Sequence, residues 1–170
     1  MSVAFDERHL AGYGANSPNP KWPNNARIAI SFVVNYEEGG ENTPLNGDAY
    51  SEVFLNETPG GRPRSDRDMN MWRILRLFKE KSFKFTCYAV GKAVELCPEP
   101  IKAMVADGHE IASHQYRWID YALVTEETER EHARLAINAI KNVTGKAPVG
   151  WYSGRISPRS RQVVIILLGF

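Results

Sequence analysis

With 170 residues, of which 43% are apolar and 24% charged, the chain has the length and composition of one soluble globular domain with a hydrophobic core. Its formal net charge of +1, without a basic patch, excludes an electrostatic argument for binding nucleic acid or an anionic membrane. The N-terminus lacks the apolar stretch of a secretory signal, and no apolar run reaches the ~18 residues of a membrane span. We therefore expect a cytoplasmic protein without nucleic-acid or membrane partners.

Residues 1–26 are dense in Gly, Pro and Asn, with Tyr13 and Trp22 as apolar anchors, which predicts an ordered N-terminal loop segment. The apolar run that follows, at residues 27–34, is typical of a strand buried on both faces. Residues 39–68 are polar and rich in Gly and Pro, so we expect a long loop there.

Strands and helices alternate through the rest of the chain. Short apolar runs predict further strands at residues 83–89, 110–113 and 148–151. Helices are predicted around Met71, Leu75 and Phe78, at residues 92–96 and 100–106, from the N-cap Thr125 to Gly145, and after Ser157. This alternation indicates right-handed crossovers on a parallel sheet of at least four strands, which is the α/β class.

The cysteines and most histidines have structural interpretations. Cys87 and Cys97 lack metal-ligand spacing and are expected to be buried free thiols. His109 is expected in a turn, and His9 and His132 are expected in solvent.

The C-terminal residues 163–168 are consecutive apolar residues of high β propensity without a charge. An exposed segment of this kind promotes aggregation through strand pairing. We therefore expect the chain either to be poorly soluble or to self-associate, for example as a homo-oligomer.

Residues that can carry chemistry follow three of the predicted strands. They are the stretch Asn35-Tyr36-Glu37-Glu38-Gly39 after the first strand, His114 after the third, and the stretch from Gly150 to Arg155 after the fourth. Because sites in parallel α/β folds form at the carboxyl ends of strands, these loops should meet at one edge of the sheet. A carboxylate can act as general base for water, and a cation can stabilise an oxyanion, so the set favours hydrolysis.

Each of these residues also has an ordinary structural interpretation. Glu37 and Glu38 fit a solvated turn, and His114 fits a hydrogen-bonded core histidine. Three aromatic residues of the same loops fit the hydrophobic core, namely Trp118, Trp151 and Tyr152. The convergence of all three loops on one edge favours the functional interpretation.

The same segments resemble the polysaccharide deacetylase (NodB homology) family. Its members carry a Thr-Phe-Asp-Asp-Gly motif, a later His-Ser/Thr-x-x-His motif, and an Arg-containing loop. Residues 35–39 resemble the first motif with both aspartates lengthened to glutamates, and residues 113–118 resemble the second with Trp118 in place of its final histidine. The likeness is closest to the allantoinase branch, and it rests on residues 12–14, 21–23, 35–42, 108–114, 117–121 and 150–152.

The resemblance implies a (β/α) barrel of the polysaccharide deacetylase type, a distorted TIM-like fold. It would be incomplete in this chain, because such barrels typically need ~250 residues, so residues 27–170 would form a partial domain. The implied activity is hydrolysis of a non-peptide carbon–nitrogen bond, with a cyclic ureide such as allantoin as substrate. One alternative is N-deacetylation of an amino-sugar polymer of the chitin or peptidoglycan type. Another is an inactive fragment that binds a partner.

Roles for individual residues also follow from the resemblance. Glu37 takes the position of the catalytic base, while Glu38 and His114 take positions of family metal ligands. Trp118 cannot bind a metal, and a catalytic zinc needs three protein ligands, so neither metal nor another cofactor is expected. His114 and Arg155 would then polarise the substrate as hydrogen-bond donors. The expected substrate-binding residues are Asn35, Tyr36, Trp118, Trp151 and Tyr152.

Overall fold

The computed structural model describes residues 12–52 and 64–168, and for residues 64–69 it describes the backbone alone. The chain divides into two units, Met1–Ile30 and Ser31–Phe170. The described part of the first unit, residues 12–30, contains one short 3-10 turn at Pro23–Asn25 and otherwise consists of turns and irregular chain. His9 lies outside the described residues.

Within the described residues of the second unit, three parallel strands form the sheet. They are β1 (Val33–Tyr36), β2 (Thr86–Ala89) and β3 (Glu110–Ser113), and they pair in the order β1-β2-β3. The fourth predicted strand is reduced to a parallel bridge between Trp151 and Ser113. The sheet is therefore smaller than expected, although its parallel direction is confirmed.

The first strand differs from its prediction in both extent and burial. It begins at Val33 rather than at residue 27, and Val33 is 43% exposed. Among the described residues β1 pairs only with β2, which makes it an edge strand. An edge strand lacks a neighbouring strand along one side, so the side chains beside that edge, Val33 among them, are open to solvent.

Helices connect and cover the strands. They are α1 (Arg64–Glu80), α2 (Gly91–Leu96), α3 (Glu99–Ala106), α4 (Glu126–Thr144) and α5 (Ser160–Leu168). The loop predicted for residues 39–68 extends too far along the chain, because α1 already begins at Arg64. Residues 53–63 of the predicted loop lie outside the described part. Thr125 caps α4 as predicted, since its Oγ1 accepts a hydrogen bond from the Thr128 N–H at 3.2 Å.

The core lies between the sheet and the helices. Its fully buried members include Cys87 of β2, Ile101 and Met104 of α3, and Ile140 of α4, and the predicted face of α1 packs against them. Burial raises the pKa of the Cys87 thiol to about 12, so this thiol is inert at neutral pH. Cys97 is only half-buried, because it follows α2 at the surface of the unit.

The apolar C-terminal segment is helical, which confirms the helix predicted after Ser157. Residues 163–168 belong to α5, and Val163 packs its side chain into the interior. The helix starts where Ser157 Oγ accepts a hydrogen bond from the Arg159 N–H at 3.0 Å and donates one to buried Glu129 at 2.6 Å. This N-terminal cap and the packing of Val163 override the β propensity of the segment.

His109 is a buried core residue rather than a turn residue. Its ring stacks on Phe85 at 3.8 Å between centroids, and its Nδ1 accepts a hydrogen bond from the Phe85 N–H at 3.2 Å. His132 is likewise half-buried, with Nδ1 3.1 Å from the Tyr121 hydroxyl. His109 is covered by Phe85, and His132 is covered by Tyr116 and Tyr121 of the loop after β3, contacts that the local sequence does not reveal.

Protonation of His109 is expected to destabilise the fold in mild acid. Burial lowers the pKa of His109 below its ordinary 6.5, Lys84 adds to this effect, and Asp107 opposes it. In the unfolded chain His109 therefore takes up a proton near pH 6.5, whereas in the folded chain it does so only at lower pH. The free energy of unfolding is thus highest above pH 6.5, and it decreases as the pH falls through the pKa of folded His109. Urea unfolding at about pH 7.5 and about pH 5.5 measures this loss.

The matched variant is His109→Gln, which keeps a hydrogen-bonding side chain but cannot titrate. Its free energy of unfolding should fall less between the two pH values than that of the native chain. His132, whose pKa burial also lowers, is present in both proteins and cancels in the comparison. An equal pH dependence in the two proteins would show that His109 does not contribute.

Candidate active site

A glycine turn places Glu37 above the carboxyl end of β1. The Gly40 N–H donates to the Glu37 carbonyl at 3.0 Å, and the Gly39 N–H donates to Oε2 of Glu41 at 2.7 Å. Gly39 has a φ of +89°, and a Cβ on Gly40 would lie 2.5 Å from Cγ1 of Val90. The sequence Glu-Glu-Gly-Gly therefore forms a tight turn that only glycines at its last two positions permit.

Glu37 and His114 meet across the sheet. Oε1 of Glu37 lies 3.0 Å from Nε2 of His114, and it also accepts a hydrogen bond from Nδ2 of Asn35 at 3.0 Å. The N–H direction at Nε2 is off the line to Oε1, so the contact is an ion pair by distance rather than an aligned hydrogen bond. Charge attraction depends on separation more than on this angle, so a charged His114 and the Glu37 carboxylate attract each other at this distance.

The register of the sheet explains this meeting. Tyr36, Ala89 and Ser113 are aligned at the ends of their strands, so the residues that follow β1 and β3 leave the same edge. Trp151 joins this edge through its bridge to Ser113. The prediction that Glu37, His114 and Trp151 share one edge is confirmed.

His114 is held from both ring nitrogens. Its Nδ1 donates to the carbonyl oxygen of Tyr152, since a carbonyl can only accept. Burial by itself lowers the pKa of His114, but the Glu37 carboxylate and the Tyr152 carbonyl outweigh it and hold the pKa above its ordinary value. Because Nδ1 carries a proton, Nε2 attracts the Glu37 carboxylate only when it is protonated as well, and the 3.0 Å contact is then an imidazolium–carboxylate ion pair.

Aromatic rings surround the imidazolium. Trp118 stacks on His114 at 5.1 Å between centroids, and Tyr152 does so at 5.7 Å. Tyr88 lies 5.9 Å from His114 and stacks nearly parallel on Tyr152 at 4.7 Å. Electron-rich ring faces stabilise a buried cation, so these side chains favour the charged form of His114.

The two members of the pair differ in accessibility. The Glu37 side chain is 26% exposed, whereas that of His114 is 2% exposed. Tyr152 is 56% exposed and presents a flat ring beside them. A small molecule therefore meets Glu37 and Tyr152 directly, while His114 lies behind Glu37 and is not placed to donate to a substrate as the sequence led us to expect.

Tyr36 does not belong to the site. It is buried in the core, and its hydroxyl donates to the Cys97 carbonyl at 2.7 Å. Side chains alternate along a strand, so Asn35 and Glu37 lie on one side of β1 and Tyr36 lies on the other. The expectation that Tyr36 contacts a substrate is corrected for this reason. Glu38 follows Glu37 in the turn and is half-buried.

Arg155 reaches the site beside Trp118. Its Cζ lies 5.1 Å from the centre of the Trp118 ring, and its Nη1 donates to Oε1 of Glu52 at 2.7 Å. This hydrogen bond from Arg155 is the main reason that the pKa of Glu52 lies below its ordinary value. Trp151 is half-buried and donates from Nε1 to Oγ of Ser153 at 3.1 Å.

Tyr88 and Glu52 were not predicted from the sequence. Tyr88 lies one residue before the end of β2, opposite Asn35 in the register, so strand alternation could have placed it beside the site. Glu52 lies 103 residues from Arg155, and no local signal indicates their pairing.

Comparison with known proteins is consistent with this geometry. The family model for polysaccharide deacetylases matches residues 63–165. The chain belongs to the polysaccharide deacetylase family. A curated polysaccharide deacetylase homologue of Schizosaccharomyces pombe is 42% identical over 94% of this chain and 55% of its own length. The chain thus spans about half the length of that relative.

Solved structures of the family show the same fold. An allantoinase (Puue) superposes with a TM-score of 0.80 at 45% identity, covering 97% of this chain and 59% of the allantoinase. A polysaccharide deacetylase homologue from Pseudomonas aeruginosa gives a TM-score of 0.82 at 48% identity over the same shares of the two chains. The α/β fold of this chain is accordingly that of the polysaccharide deacetylase barrels, of which β1–β3 form a part.

The donors at the site do not fit the metal centre that the family motifs imply. Glu38 and His114 take the positions of two family ligands and supply a carboxylate and an imidazole, but the ring stacked on His114 is that of Trp118, which has no lone pair for a metal. A catalytic zinc takes three protein ligands. Across residues 12–52 and 70–168 no three His, Cys, Asp or Glu side chains converge on a common point.

No helix in the described part of the chain is long and apolar enough to span a membrane.

Replacing Gly154 by alanine is expected to displace Trp118. A Cβ at this position would lie 1.5 Å from Cζ3 of Trp118, whereas the backbone of Gly154 is in a conformation open to any residue. The change is therefore steric and should destabilise the fold by about 1–3 kcal/mol. Near-ultraviolet circular dichroism and urea unfolding report the ring environment and the stability.

Gly150→Ala is the matched control in the same loop, because its Cβ would meet only the Ala112 Cβ, at 3.2 Å. It should change both readings less. Equal effects of the two substitutions would mean that Trp118 is not held by contact with Gly154.

Proposed function

We propose that the protein is a hydrolase of non-peptide carbon–nitrogen bonds in which Glu37 is the general base. The observation that supports this most is the contact of 3.0 Å between Glu37 and His114 at the carboxyl edge of the sheet. A partly exposed carboxylate held by a buried cation is oriented for proton transfer and still reaches solvent. Membership of a deacetylase family supports the same class of reaction.

The reaction that we propose balances without a cofactor. Glu37 takes a proton from a water molecule while the water oxygen attacks the amide carbonyl carbon. Arg155 has guanidinium N–H groups beyond the one that binds Glu52, and these stabilise the negative charge that develops on the carbonyl oxygen. Protonated Glu37 then transfers its proton to the nitrogen as the carbon–nitrogen bond breaks. The carboxylate of Glu37 is restored.

A cyclic ureide of the allantoin type is the substrate that we favour. The exposed face of Tyr152, backed by stacked Tyr88, offers a flat surface for a small ring. Asn35 and Glu37 at its side can bind the N–H and carbonyl groups that such a ring carries. Trp118 at the position of a family metal ligand, and the similarity to a solved allantoinase, support this choice.

N-deacetylation of an amino sugar is the second candidate. It is supported by the match to the polysaccharide deacetylase family and by a relative named peptidoglycan deacetylase from Helicobacter pylori, 31% identical over 66% of this chain. Both reactions cleave an amide, so the same base would serve either substrate. The products distinguish them, because a deacetylase releases acetate and a ureide hydrolase opens a ring.

Glu37→Gln is expected to reduce hydrolysis by about 10²-fold or more, since glutamine cannot accept the proton from water. Assays of the purified chain with allantoin and with N-acetylated chitin oligosaccharides measure ring opening and acetate release. The control is Glu131→Gln, an exposed substitution on α4 whose partner is Arg134 at 3.3 Å, and it should leave the rate unchanged. Turnover of neither substrate by the native chain would support the inactive-fragment alternative and contradict the proposal.

Chelation separates the proposed chemistry from that of a metal-dependent deacetylase. Ring opening should persist after exhaustive dialysis against a chelator, because the donor set lacks a third ligand. Loss of activity that added zinc restores would identify the deacetylase mechanism instead.

A further inference from the structure

Arg117 ties the loop after β3 to the loop that carries Glu37. Its Nε donates to the Gly40 carbonyl at 2.9 Å, and its Nη2 donates to the Glu41 carbonyl at 2.9 Å and to Oδ2 of Asp48 at 2.6 Å. The side chain is 11% exposed, so these bonds are shielded from water. A guanidinium is suited to this arrangement, because its N–H groups have a fixed planar geometry.

The backbone of Arg117 is itself held in place. Its N–H donates to the hydroxyl of Tyr121, which is buried, at 3.2 Å. The next residue, Trp118, donates its N–H to the same Gly40 carbonyl at 2.8 Å. The Gly40 carbonyl therefore has two donors from the segment that follows His114.

The position of Gly40 determines that of Glu37. The Gly40 N–H donates to the Glu37 carbonyl at 3.0 Å, so the two residues move together as one turn. On the other side of the site, His114 lies only three residues before Arg117. The turn with Glu37 and the segment with His114 are thus joined by Arg117 within a few residues of the pair.

We propose that Arg117 is a positioning residue that holds Glu37 against His114. This role in catalysis rests on the proposed function of Glu37, whereas the positioning itself does not. Without the guanidinium, the Gly40 and Glu41 carbonyls lose donors that a single ammonium group cannot replace together. The turn then shifts, and Glu37 separates from His114.

A double-mutant cycle on unfolding tests the proposal without requiring activity. Glu37→Gln should lower the unfolding free energy of the native chain enough to raise the unfolding equilibrium constant about fivefold. In an Arg117→Lys background, which keeps the positive charge, the same substitution should have little effect because the pair is already separated. Equal fold-changes in the two backgrounds would overturn the proposal.

Two further substitutions complete the test. Arg134→Lys, an exposed change on α4, is the matched control, and Glu37→Gln should retain its full effect in that background. Asp48→Asn removes the negative charge that Arg117 binds, which is a milder change, and it should reduce the effect of Glu37→Gln in part. If the cycle shows coupling while Glu37→Gln leaves hydrolysis unchanged, the positioning stands and the proposed function fails.

Discussion

The ion pair between Glu37 and His114 is the contact on which the arrangement of the site depends. It brings Glu37, from the loop after β1, and His114, which follows β3, to within 3.0 Å of each other at one edge of the sheet. A buried imidazolium is energetically unfavourable unless it is paired. Here the Glu37 carboxylate, the Tyr152 carbonyl and the surrounding rings stabilise its charge. The groups that surround His114 are therefore the ones that stabilise its positive charge.

The loops around the pair are held by contacts between distant parts of the chain. Arg117 binds the backbone of the first loop, and Arg155 binds Glu52 at the end of the described part of that loop. Trp118 contacts both His114 and Arg155, and it has room to do so because Gly154 carries no side chain. The polar loops of the site are thus held in a fixed geometry by the cationic side chains of Arg117 and Arg155.

The sequence predicted those features that depend on local patterns. The α/β class, the parallel direction of the strands, the cap at Thr125 and the convergence of Glu37 with His114 all follow from short-range periodicity and from strand ends. The features that it missed depend on contacts across the fold. Arg117 is 77 residues from Gly40, and the burial of Tyr36 depends on which side of β1 faces the core. The helix after Ser157 was predicted from its N-cap, and it extends through the tail because this cap and the packing of Val163 outweigh the β propensity of residues 163–168.

The most direct measurement is a 15N NMR spectrum of the His114 ring at about pH 7, assigned with a His114→Gln variant. If His114 is an imidazolium paired with Glu37, both ring nitrogens carry a proton in the native chain. The Glu37→Gln variant should then lose the proton from Nε2 while Nδ1 keeps its bond to the Tyr152 carbonyl. A native spectrum with a protonated Nδ1 and an unprotonated Nε2 would contradict the ion pair.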